Sequence, residues 1–339
     1  MNQNILQFII CPECRNPFLS LDVYSFGDAN QVLDGRLKCS ACNSWFRIEN
    51  GIVDLLPFEL REKNFEKFMS KTLRFAEKYN LPLPESARDQ TASTRNKAKP
   101  IGAFEDTEDY ERRVVNLPYY QALDKLKFVR WIERNLRPGQ VVLDIGCGSG
   151  MQSIPLAENN IRTIGIDIDE DMLLIAAKKM TAKSLSHLVD LVIADGQNLP
   201  VRENYFDAAI FYGVLHHLTE KSAAIADAAH KLVPGGHFYT LDPHKSRLRF
   251  VFDFLMKLWK LYVEEASDAP LISQEQMTIW TQNAGLTGKV NFSTYLPPHV
   301  FFLGDLVNVW LLNMSDNLFN TIPGMKSVAG VIIFEGTKQ

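Results

Sequence analysis

A short apolar strand that runs directly into a glycine-rich turn constrains the fold of this chain more than any other feature. Residues 141–150 read VVLDIGCGSG, with apolar residues leading to Asp144 and glycines at Gly146, Gly148 and Gly150. Glycine at these positions lets the backbone turn tightly and approach a ligand that any Cβ atom would block. A helix-compatible run follows, so the pattern predicts a strand–turn–helix unit with a ligand at the turn.

Strands and helices alternate beyond this turn. An acidic residue, Asp167, ends the second predicted strand, and Asp169 is placed to cap the helix that follows. A carboxylate there suits a ribose, because both ribose hydroxyls can donate to it. The alternation predicts a parallel sheet with its ligands at the carboxyl ends of the strands. The predicted strands after the first are 163–166, 191–194, 206–212, 238–241, 289–296 and 330–335, and the better-marked helices are 170–180, 219–232 and 273–284. A Pro-Gly-Gly turn is expected at 234–236, a capping box of Ser273 and Gln276 at the start of the last helix, and a further helical pattern at 248–263.

Two other interpretations of the glycine turn have to be weighed. A nicotinamide or flavin dinucleotide site needs G-x-G-x-x-G at a helix N-terminus that binds pyrophosphate. Counting from Gly146, the third glycine would fall at Met151, so that fingerprint fails. A glycine turn in a ligand-free α/β domain is the second alternative, and spacing alone leaves it open.

Residues 141–243 resemble the class I S-adenosylmethionine-dependent methyltransferases, particularly their type 11 small-substrate branch. The matching pieces are LDIGCGSG, IGIDIDEDML, ADGQNLPV, FDAAIFYGVLHHL and KLVPGGHFYTLDP, in the family's order and spacing. The resemblance implies an α/β fold with a Rossmann-like, doubly wound sheet of seven strands. It also implies S-adenosyl-L-methionine as the cofactor.

The same resemblance assigns cofactor contacts to individual residues. The turn at 144–150 would wrap the methionine part of the cofactor, Asp167 would hold the ribose, and Asp195 would accept from the adenine amino group. Ile168 and Met172 would pack on the adenine ring. The full predicted set is Asp144, Gly146, Cys147, Gly148, Asp167, Ile168, Met172, Asp195, Gly196 and Tyr212.

Four of the five cysteines form two C-x-x-C pairs, Cys11 with Cys14 and Cys39 with Cys42. Each pair can present two thiolates to one tetrahedral ion, and four protein ligands make a closed, structural zinc site. Disulfides are the alternative, but the cytoplasmic compartment expected for this chain disfavours them. A thioredoxin-like redox pair would need only one C-x-x-C. The spacing therefore favours Zn²⁺.

The cysteine-bearing segment also resembles the small zinc-ribbon family that activates tRNA- and protein-methylating enzymes in trans. The matching text is CPECRNPF followed by LKCSACNSWFRIENGIVDLLP, here fused in cis. Residues 1–58 carry four Lys or Arg against six Asp or Glu, a net charge of −2, and the whole chain has a net charge of −4. RNA-binding ribbons need the opposite sign. Scaffolding or protein contact is the favoured role, and nucleic acid is disfavoured as a partner.

The chain divides into three predicted parts. A zinc-ribbon module covers 1–58, a helical and mobile linker covers 59–109, and a methyltransferase domain covers 110–339. Apolar helical insertions are expected at 244–272 and 297–326. They would form core or a homodimer interface, a cap over an apolar acceptor pocket, or a peripheral membrane contact. No signal peptide or membrane-spanning run is visible in the sequence, which predicts a soluble, cytoplasmic protein.

Candidate catalytic residues follow the fourth and fifth predicted strands, where the methyl group would point. Methyl transfer needs mainly alignment and exclusion of water, and an acidic carbon or hydroxyl acceptor needs a base as well. Polar residues at this edge are His216, His217, Asp242 and His244. His217 and His244 are the predicted bases and Tyr212 the residue that orients the acceptor, with plain packing as the alternative for each.

The sequence thus predicts a methyltransferase that acts on a small or lipid-like acceptor at oxygen or carbon. The asparagine-proline-proline-aromatic motif of the amino-group-methylating branch is absent after the fourth strand, where FYGVLHHL stands instead. One alternative is an RNA methyltransferase that docks its substrate through the zinc ribbon. Another is a non-catalytic partner subunit that only binds the cofactor.

Overall fold

The computed structural model of the chain is built on one mixed β-sheet of eleven strands. The strands are β1 (Leu19–Phe26), β2 (Val32–Cys39), β3 (Trp45–Glu49), β4 (Ile52–Asp54), β5 (Val141–Ile145), β6 (Arg162–Asp167), β7 (Val189–Ile193), β8 (Phe206–Tyr212), β9 (Leu232–Pro243), β10 (Leu286–Ser293) and β11 (Val331–Lys338). The structure describes residues 1–27, 30–57, 60, 65–83, 118–247, 271–293, 305–322 and 324–339. The helical pattern at 248–263 and most of the predicted linker lie outside these residues.

Helices cover both faces of the sheet. They are α1 (Phe65–Lys78), α2 (Pro118–Leu123), α3 (Arg130–Asn135), α4 (Ser153–Glu158), α5 (Glu170–Ala182), α6 (Lys221–Lys231), α7 (Gln274–Asn283) and α8 (Asp305–Thr321). A π-helical turn, Asp124–Val129, joins α2 to α3 without a break. The capping box expected at the start of α7 is present, with Ser273 and Gln276 each bonded to the other's backbone. None of the helices described is long and apolar enough to cross a membrane.

Seven strands, β5 to β11, form the doubly wound part of the sheet in the order β7-β6-β5-β8-β9-β11-β10. All neighbours are parallel except β11, which runs antiparallel to both β9 and β10. The winding reverses between β5 and β8, since the chain passes from β5 to β6 and β7 on one side and returns to β8 on the other. A reversal of this kind opens a crevice at the carboxyl ends of the strands, where ligands bind. The glycine turn lies at this crevice.

The fifth strand of this set begins earlier than the sequence predicts. The Pro-Gly-Gly stretch at 234–236, expected as a turn before the strand, lies inside β9. Leu232 pairs with Phe206, and the next pairing joins His237 to Ala208. The stretch is therefore a bulge, and Gly235 in it has a φ of +77°. The residues at 234–236 do turn the backbone locally, but strand pairing on both sides of the bulge makes them part of β9.

The cysteine-bearing segment adds four strands to the same sheet. Its antiparallel strands β1 to β4 end with β4 lying parallel to β7, where Ile52 is opposite Leu191 and Asp54 opposite Ile193. The backbone N–H of Leu55 continues the ladder by donating to the carbonyl of Ile193 at 2.9 Å. The ribbon is thus joined to the doubly wound part by main-chain hydrogen bonds, which the sequence did not predict.

A second contact holds the first cysteine pair against the doubly wound part. The N–H of Ile10 donates to the carbonyl of Pro200 at 2.9 Å, and the N–H of Arg202 donates to that of Phe8 at 2.7 Å. Phe8 and Ile9 are buried in the large core that continues under β8 and β9. Backbone pairing and apolar burial together fix the ribbon close to the crevice.

Candidate cofactor and acceptor site

The glycine turn between β5 and α4 has a backbone that only glycine fits at its first position. Gly146 has a φ of +72°, and a Cβ atom there would lie 2.3 Å from a methyl group of Val214. Gly148 and Gly150 also have positive φ values, +50° and +84°. The turn is therefore a cradle whose path depends on the missing side chains.

Asp167, at the carboxyl end of β6, is bonded to this turn. Its Oδ2 accepts from the N–H of Gly148 at 2.8 Å, and its Oδ1 accepts from the N–H of Asp169 at 2.9 Å. Burial raises the pKa of Asp167 to about 6. Asp169 caps α5, as expected from the sequence, by accepting from the N–H groups of Asp171 and Met172.

Asp144 lies deeper, at the end of β5. It is 1 % exposed, and its Oδ2 accepts from the hydroxyl of Ser153 at 2.6 Å. Burial raises the pKa of Asp144 to about 7. In this arrangement Asp144 ties the strand to the first turn of α4, so it shapes the cradle from below.

The residues expected around adenine lie along the same edge. Met172 is buried and its Cε atom is 3.4 Å from the position that a Cβ of Gly148 would take. Ile168 is half-buried, and Asp195 is buried with its Oδ1 accepting from the N–H of Gln197 at 2.9 Å. Cys147 is buried, and its sulfur packs against Gly165. Most of the predicted cofactor residues thus lie at the carboxyl ends of three neighbouring strands, β5, β6 and β7, along one cofactor strip.

The side chains present are of the kinds that S-adenosyl-L-methionine needs. In the predicted assignment Asp167 would accept from ribose hydroxyls, Asp195 would accept from an amino group, and the apolar Ile168 and Met172 would pack on a flat ring. At Gly146 the space that a Cβ atom would need is already taken by Val214, so the glycine is required by the packing and the path of the turn. The residue roles themselves remain predictions.

A histidine–carboxylate pair lies at the carboxyl ends of β8 and β9. Asp242 is fully buried, and its Oδ1 accepts from both the backbone N–H of His216 at 3.1 Å and the ring Nδ1 of His216 at 2.9 Å. Its other oxygen accepts from the Thr240 hydroxyl at 3.0 Å. A buried carboxylate at Nδ1 holds the proton on that nitrogen and leaves Nε2 with a free lone pair. The pair therefore has the arrangement of an oriented base.

The other predicted acceptor-side residues lie around this pair. The ring of His217 is 3.9 Å from that of His216, centroid to centroid. His217 is exposed on the surface, and desolvation of its ring by the surrounding residues, together with the neighbouring His216 and Lys221, lowers its pKa. Tyr212 is half-buried and meets Phe128 edge-on at 5.8 Å.

His244 is held differently from His216. Its Nδ1 lies 2.9 Å from the carbonyl oxygen of Ala329, which can only accept, so Nδ1 carries the proton and Nε2 is the basic nitrogen. Burial lowers the pKa of His244, which keeps the ring neutral. Its ring also packs edge-on against Phe292 at 5.0 Å.

Two residues near the cradle were missed by sequence reasoning. Asp124 begins the π-helical turn, and Gln152 donates to its Oδ1 at 3.3 Å from the far end of the glycine turn. Burial raises the pKa of Asp124 to about 7. A π-helical turn is common at functional sites, but nothing in the local periodicity separates it from an α-helix.

The four paired cysteines converge on one point, where β2 ends at Cys39 and the chain turns towards β3. The four sulfur atoms of Cys11, Cys14, Cys39 and Cys42 all lie within 4.8 Å of one another. The Cys11–Cys42 and Cys14–Cys39 sulfur separations are 3.6 and 3.5 Å, far beyond a disulfide bond of about 2.0 Å. Tetrahedral zinc with four thiolates requires sulfurs about 3.8 Å apart. The cluster fits zinc, and Cys147 stands apart from it.

A buried arginine connects the ribbon to the cofactor strip. Arg47 of β3 is 3 % exposed, and its guanidinium bonds to Asp54 at 3.1 Å, to Glu170 at 3.2 Å and to Glu49. Glu170 is the first residue of α5 and also pairs with Lys71 of α1 at 2.7 Å. The ribbon and α1 therefore both hold the helix end that follows Asp169.

Comparison with known proteins agrees with both parts of the structure. Residues 143–240 match the methyltransferase domain family Methyltransf_11, and residues 3–51 match the Trm112p-like protein family. The chain is 27 % identical over 168 residues to a demethylmenaquinone methyltransferase of Symbiobacterium thermophilum, which covers 48 % of this chain and 62 % of that protein.

Two further relatives are matched over shorter stretches. One is a ubiquinone/menaquinone biosynthesis C-methyltransferase UbiE of Paraburkholderia phymatum, 31 % identical over 133 residues, covering 38 % of this chain and 52 % of that protein. Another is the probable tRNA methyltransferase 9B of Bos taurus, 33 % identical over 124 residues, covering 35 % and 25 %. The chain thus spans less than two thirds of each of these three relatives. The matched segments and the geometry together indicate that residues 143–240 form a domain similar to the S-adenosylmethionine-dependent methyltransferases of the Methyltransf_11 family, preceded by a Trm112p-like ribbon whose four clustered cysteines fit a zinc ion.

Proposed function

We propose that this chain transfers a methyl group from S-adenosyl-L-methionine to a small or lipid-like acceptor, at an oxygen or carbon atom. The observation that carries the proposal is that the glycine cradle and the His216–Asp242 pair lie on adjacent parallel strands and at the same sheet edge. A methyl donor in the cradle would therefore face a base.

Bound S-adenosyl-L-methionine supplies a methyl group on a positively charged sulfur, and its departing thioether is neutral. The chain's own residues have to align the acceptor, exclude water and, for a hydroxyl or acidic carbon, accept one proton. Nε2 of His216 is the nitrogen to which that proton goes in our proposal. Asp242 stabilises the imidazolium that forms, through the proton it already accepts from Nδ1.

Similarity to quinone methyltransferases supports a small apolar acceptor. Both the demethylmenaquinone and the ubiquinone/menaquinone proteins carry that class of compound in their names, and the second is named a C-methyltransferase. The match to a probable tRNA methyltransferase 9B favours RNA as a second candidate acceptor. The net charge of −2 on the ribbon opposes it.

The test uses the purified full chain, methyl-labelled S-adenosyl-L-methionine and host extract separated into RNA, protein and organic-soluble fractions. We expect label in the organic-soluble fraction. Label in RNA would overturn the proposed acceptor class. Cofactor binding without label in any fraction would indicate a non-catalytic partner subunit and overturn the proposal as a whole.

Two matched variants assign the result to the site. Asp167→Asn should weaken cofactor binding at least tenfold, because it removes a charged acceptor for ribose hydroxyls. Asp207→Asn is its control, since Asp207 also accepts a backbone N–H, from Val141 at 2.8 Å, but at the opposite end of the sheet. Asp242→Asn should keep cofactor binding and lower turnover by about a hundredfold or more. Equal cofactor affinity in Asp167→Asn and Asp207→Asn would contradict the assignment.

A further inference from the structure

Three separate chain segments meet beside the end of β9 and line an open pocket that the proposed reaction does not use. The N–H of Lys245 donates to the carbonyl of Ile272, and the N–H of Arg247 donates to that of Ser327, both at 2.9 Å. The N–H of His244 donates to the carbonyl of Gly330, also at 2.9 Å. Main-chain bonds of this kind fix the pocket walls relative to one another.

The pocket has a volume of about 350 Å³ and an unusually cationic lining. Its lining residues are His244, Lys245, Arg247, Gln274, Gly324, Lys326 and Ser327. Among the residues that the structure describes, the lining includes no carboxylate, and Lys245, Arg247 and Lys326 form no ion pair. All three cations are solvent-exposed and line one cavity, so an anion in that cavity would be attracted by their summed positive charge.

We propose that this cation pocket, defined by the seven residues above, binds a phosphate monoester group of the methyl acceptor. A doubly charged phosphate balances most of the charge of Lys245, Arg247 and Lys326. The planar guanidinium of Arg247 can donate to two of its oxygens, and the Ser327 hydroxyl and Gln274 amide are further hydrogen-bonding groups in the lining. A carboxylate would leave two of the three cations unbalanced.

Position connects the pocket to the acceptor site. His244 lines the pocket and directly follows β9, one residue beyond Pro243 and two beyond the Asp242 that orients His216. A ligand whose phosphate lies in the pocket would extend past His244 towards the base. This inference rests on the proposed function only where it names the ligand as the methyl acceptor. The phosphate site itself is argued from the residues that line the pocket.

The number of cations in the pocket distinguishes a small-molecule ligand from a nucleic acid. A nucleic-acid site neutralises a row of phosphates, commonly six to ten, whereas the cation pocket presents three cations around one cavity. The net charge of the whole chain is −4. We therefore assign the pocket to a single phosphate on a small or lipid-like molecule.

The experiment is calorimetric titration of the full chain with inorganic phosphate, glycerol 3-phosphate and dihexanoyl phosphatidic acid, at low ionic strength. Lys245→Gln, Arg247→Gln and Lys326→Gln should each weaken phosphate binding about tenfold, the loss expected for one charge-assisted hydrogen bond. Lys289→Gln and Arg130→Gln are the controls, because these exposed cations lie outside the pocket. They should bind phosphate as the wild type does.

The outcomes separate this inference from the proposed function. Equal phosphate affinity in the wild type and the three pocket variants overturns the pocket, whatever the methyl-transfer assay shows. Phosphate binding that persists when no fraction is methylated overturns the proposed function and leaves the pocket standing. Glycerol 3-phosphate binding alone indicates a soluble acceptor, and tighter binding of the phosphatidic acid indicates a lipid; each supports the phosphate site. Displacement of phosphate by tRNA with a steep salt dependence would overturn the assignment to a small molecule.

Discussion

Buried carboxylates around the glycine turn lower the free energy of unfolding of the protein. Burial raises the pKa of Asp144 and Asp124 to about 7 and that of Asp167 to about 6. Desolvation disfavours their charged forms, and such groups gather where a ligand supplies the missing partners. The buried carboxylates of the cofactor strip therefore lower the folding stability and leave groups with which a ligand can bond.

Replacing Asp144 by Asn should reveal that cost as a function of pH. The folded-state pKa of about 7 lies above the ordinary 3.8, so the folded protein holds this proton more tightly than the unfolded chain. The stabilisation is present below pH 3.8 and is lost as the pH rises through 7. We expect Asp144→Asn, measured by urea unfolding without cofactor, to match the wild type near pH 4. At pH 8 it should be more stable by about 4 kcal/mol. A difference that does not change with pH would contradict this.

Gly146 should tolerate no side chain, for two separable reasons. Gly146→Ala meets both an unfavourable φ of +72° and a contact of 2.3 Å with Val214. Gly139→Ala is the control for backbone strain alone, since Gly139 has a φ of +88° and no atom within 4 Å of its added Cβ. We expect the control to cost about 1 kcal/mol, and Gly146→Ala to cost about 3 kcal/mol.

The same variant should weaken cofactor binding at least tenfold, because the cradle would have to shift. Adding Val214→Ala should restore part of the loss by removing the methyl groups that clash. Calorimetric cofactor titration and thermal unfolding measure both effects. If the double variant is no better than Gly146→Ala, the clash is not the cause.

One charged cluster connects the ribbon and α1 to α5. It fixes the position of the first residue of α5, beside the cofactor strip. Arg47 in β3 reaches Glu170 at the start of α5, while Lys71 in α1 reaches the same carboxylate. Asp54, the closest buried partner of Arg47, is 3 % exposed. Removal of one member leaves a buried charge without its partner.

Arg47→Met should therefore destabilise the protein by about 3 kcal/mol. Arg36→Met is the matched control, because Arg36 pairs with Asp22 on β1, where the side chains are 21 % and 46 % exposed. The control should cost less than about 1 kcal/mol. Urea unfolding gives both values, and cofactor titration should show weaker binding for Arg47→Met only. Equal losses in the two variants would argue against the cluster.

Helix α8 accounts for part of the apolar surplus near the carboxyl end of the sequence. Leu312 is fully buried in the cluster that contains Trp131, and Asp316 is buried between Lys127 and Ser293. Trp310 and other apolar residues on α8 are 40 % exposed or more. The buried side is core, and a homodimer, a cap or a membrane contact on the exposed side remains a prediction.

One β-sheet runs from the ribbon into the methyltransferase part of the molecule. Pairing of β4 with β7 is continuous main-chain hydrogen bonding. A change that unfolds the ribbon therefore exposes the edge of β7 and the apolar surface beneath it. Stability of the methyltransferase part should depend on the zinc site.

Elemental analysis should find about one zinc ion per chain, and Cys39→Ser should lose it. Chelation or Cys39→Ser should lower the midpoint of thermal unfolding by about 5 °C or more, in one transition. Cys147→Ala is the control and should keep its zinc, because Cys147 lies outside the cluster. Two transitions, with the second unchanged by metal removal, would show that the parts unfold independently.

Particular residues show how far sequence reasoning reached. The strand Phe206–Tyr212, the capping box of Ser273 and Gln276, and the four-cysteine cluster were all predicted correctly. The sequence placed His216 and Asp242 at the same edge but did not predict that they pair, as they do in the structure, and the choice of His217 as a base stays a prediction. Two adjacent histidines look alike in sequence, and only the curvature of the backbone decides which ring faces inward.

The sequence by itself determined the order of strands and helices, the glycine turn, the cofactor class and the metal ligands. Those features depend on local periodicity, backbone sterics and the spacing of ligands a few residues apart. Only the tertiary structure decided that β4 joins β7 in one sheet and that Arg47 reaches Glu170. It also decided that three distant segments line one cation pocket. Such contacts depend on long-range packing and hydrogen bonding between residues far apart in the chain, and no local pattern records which partners will meet.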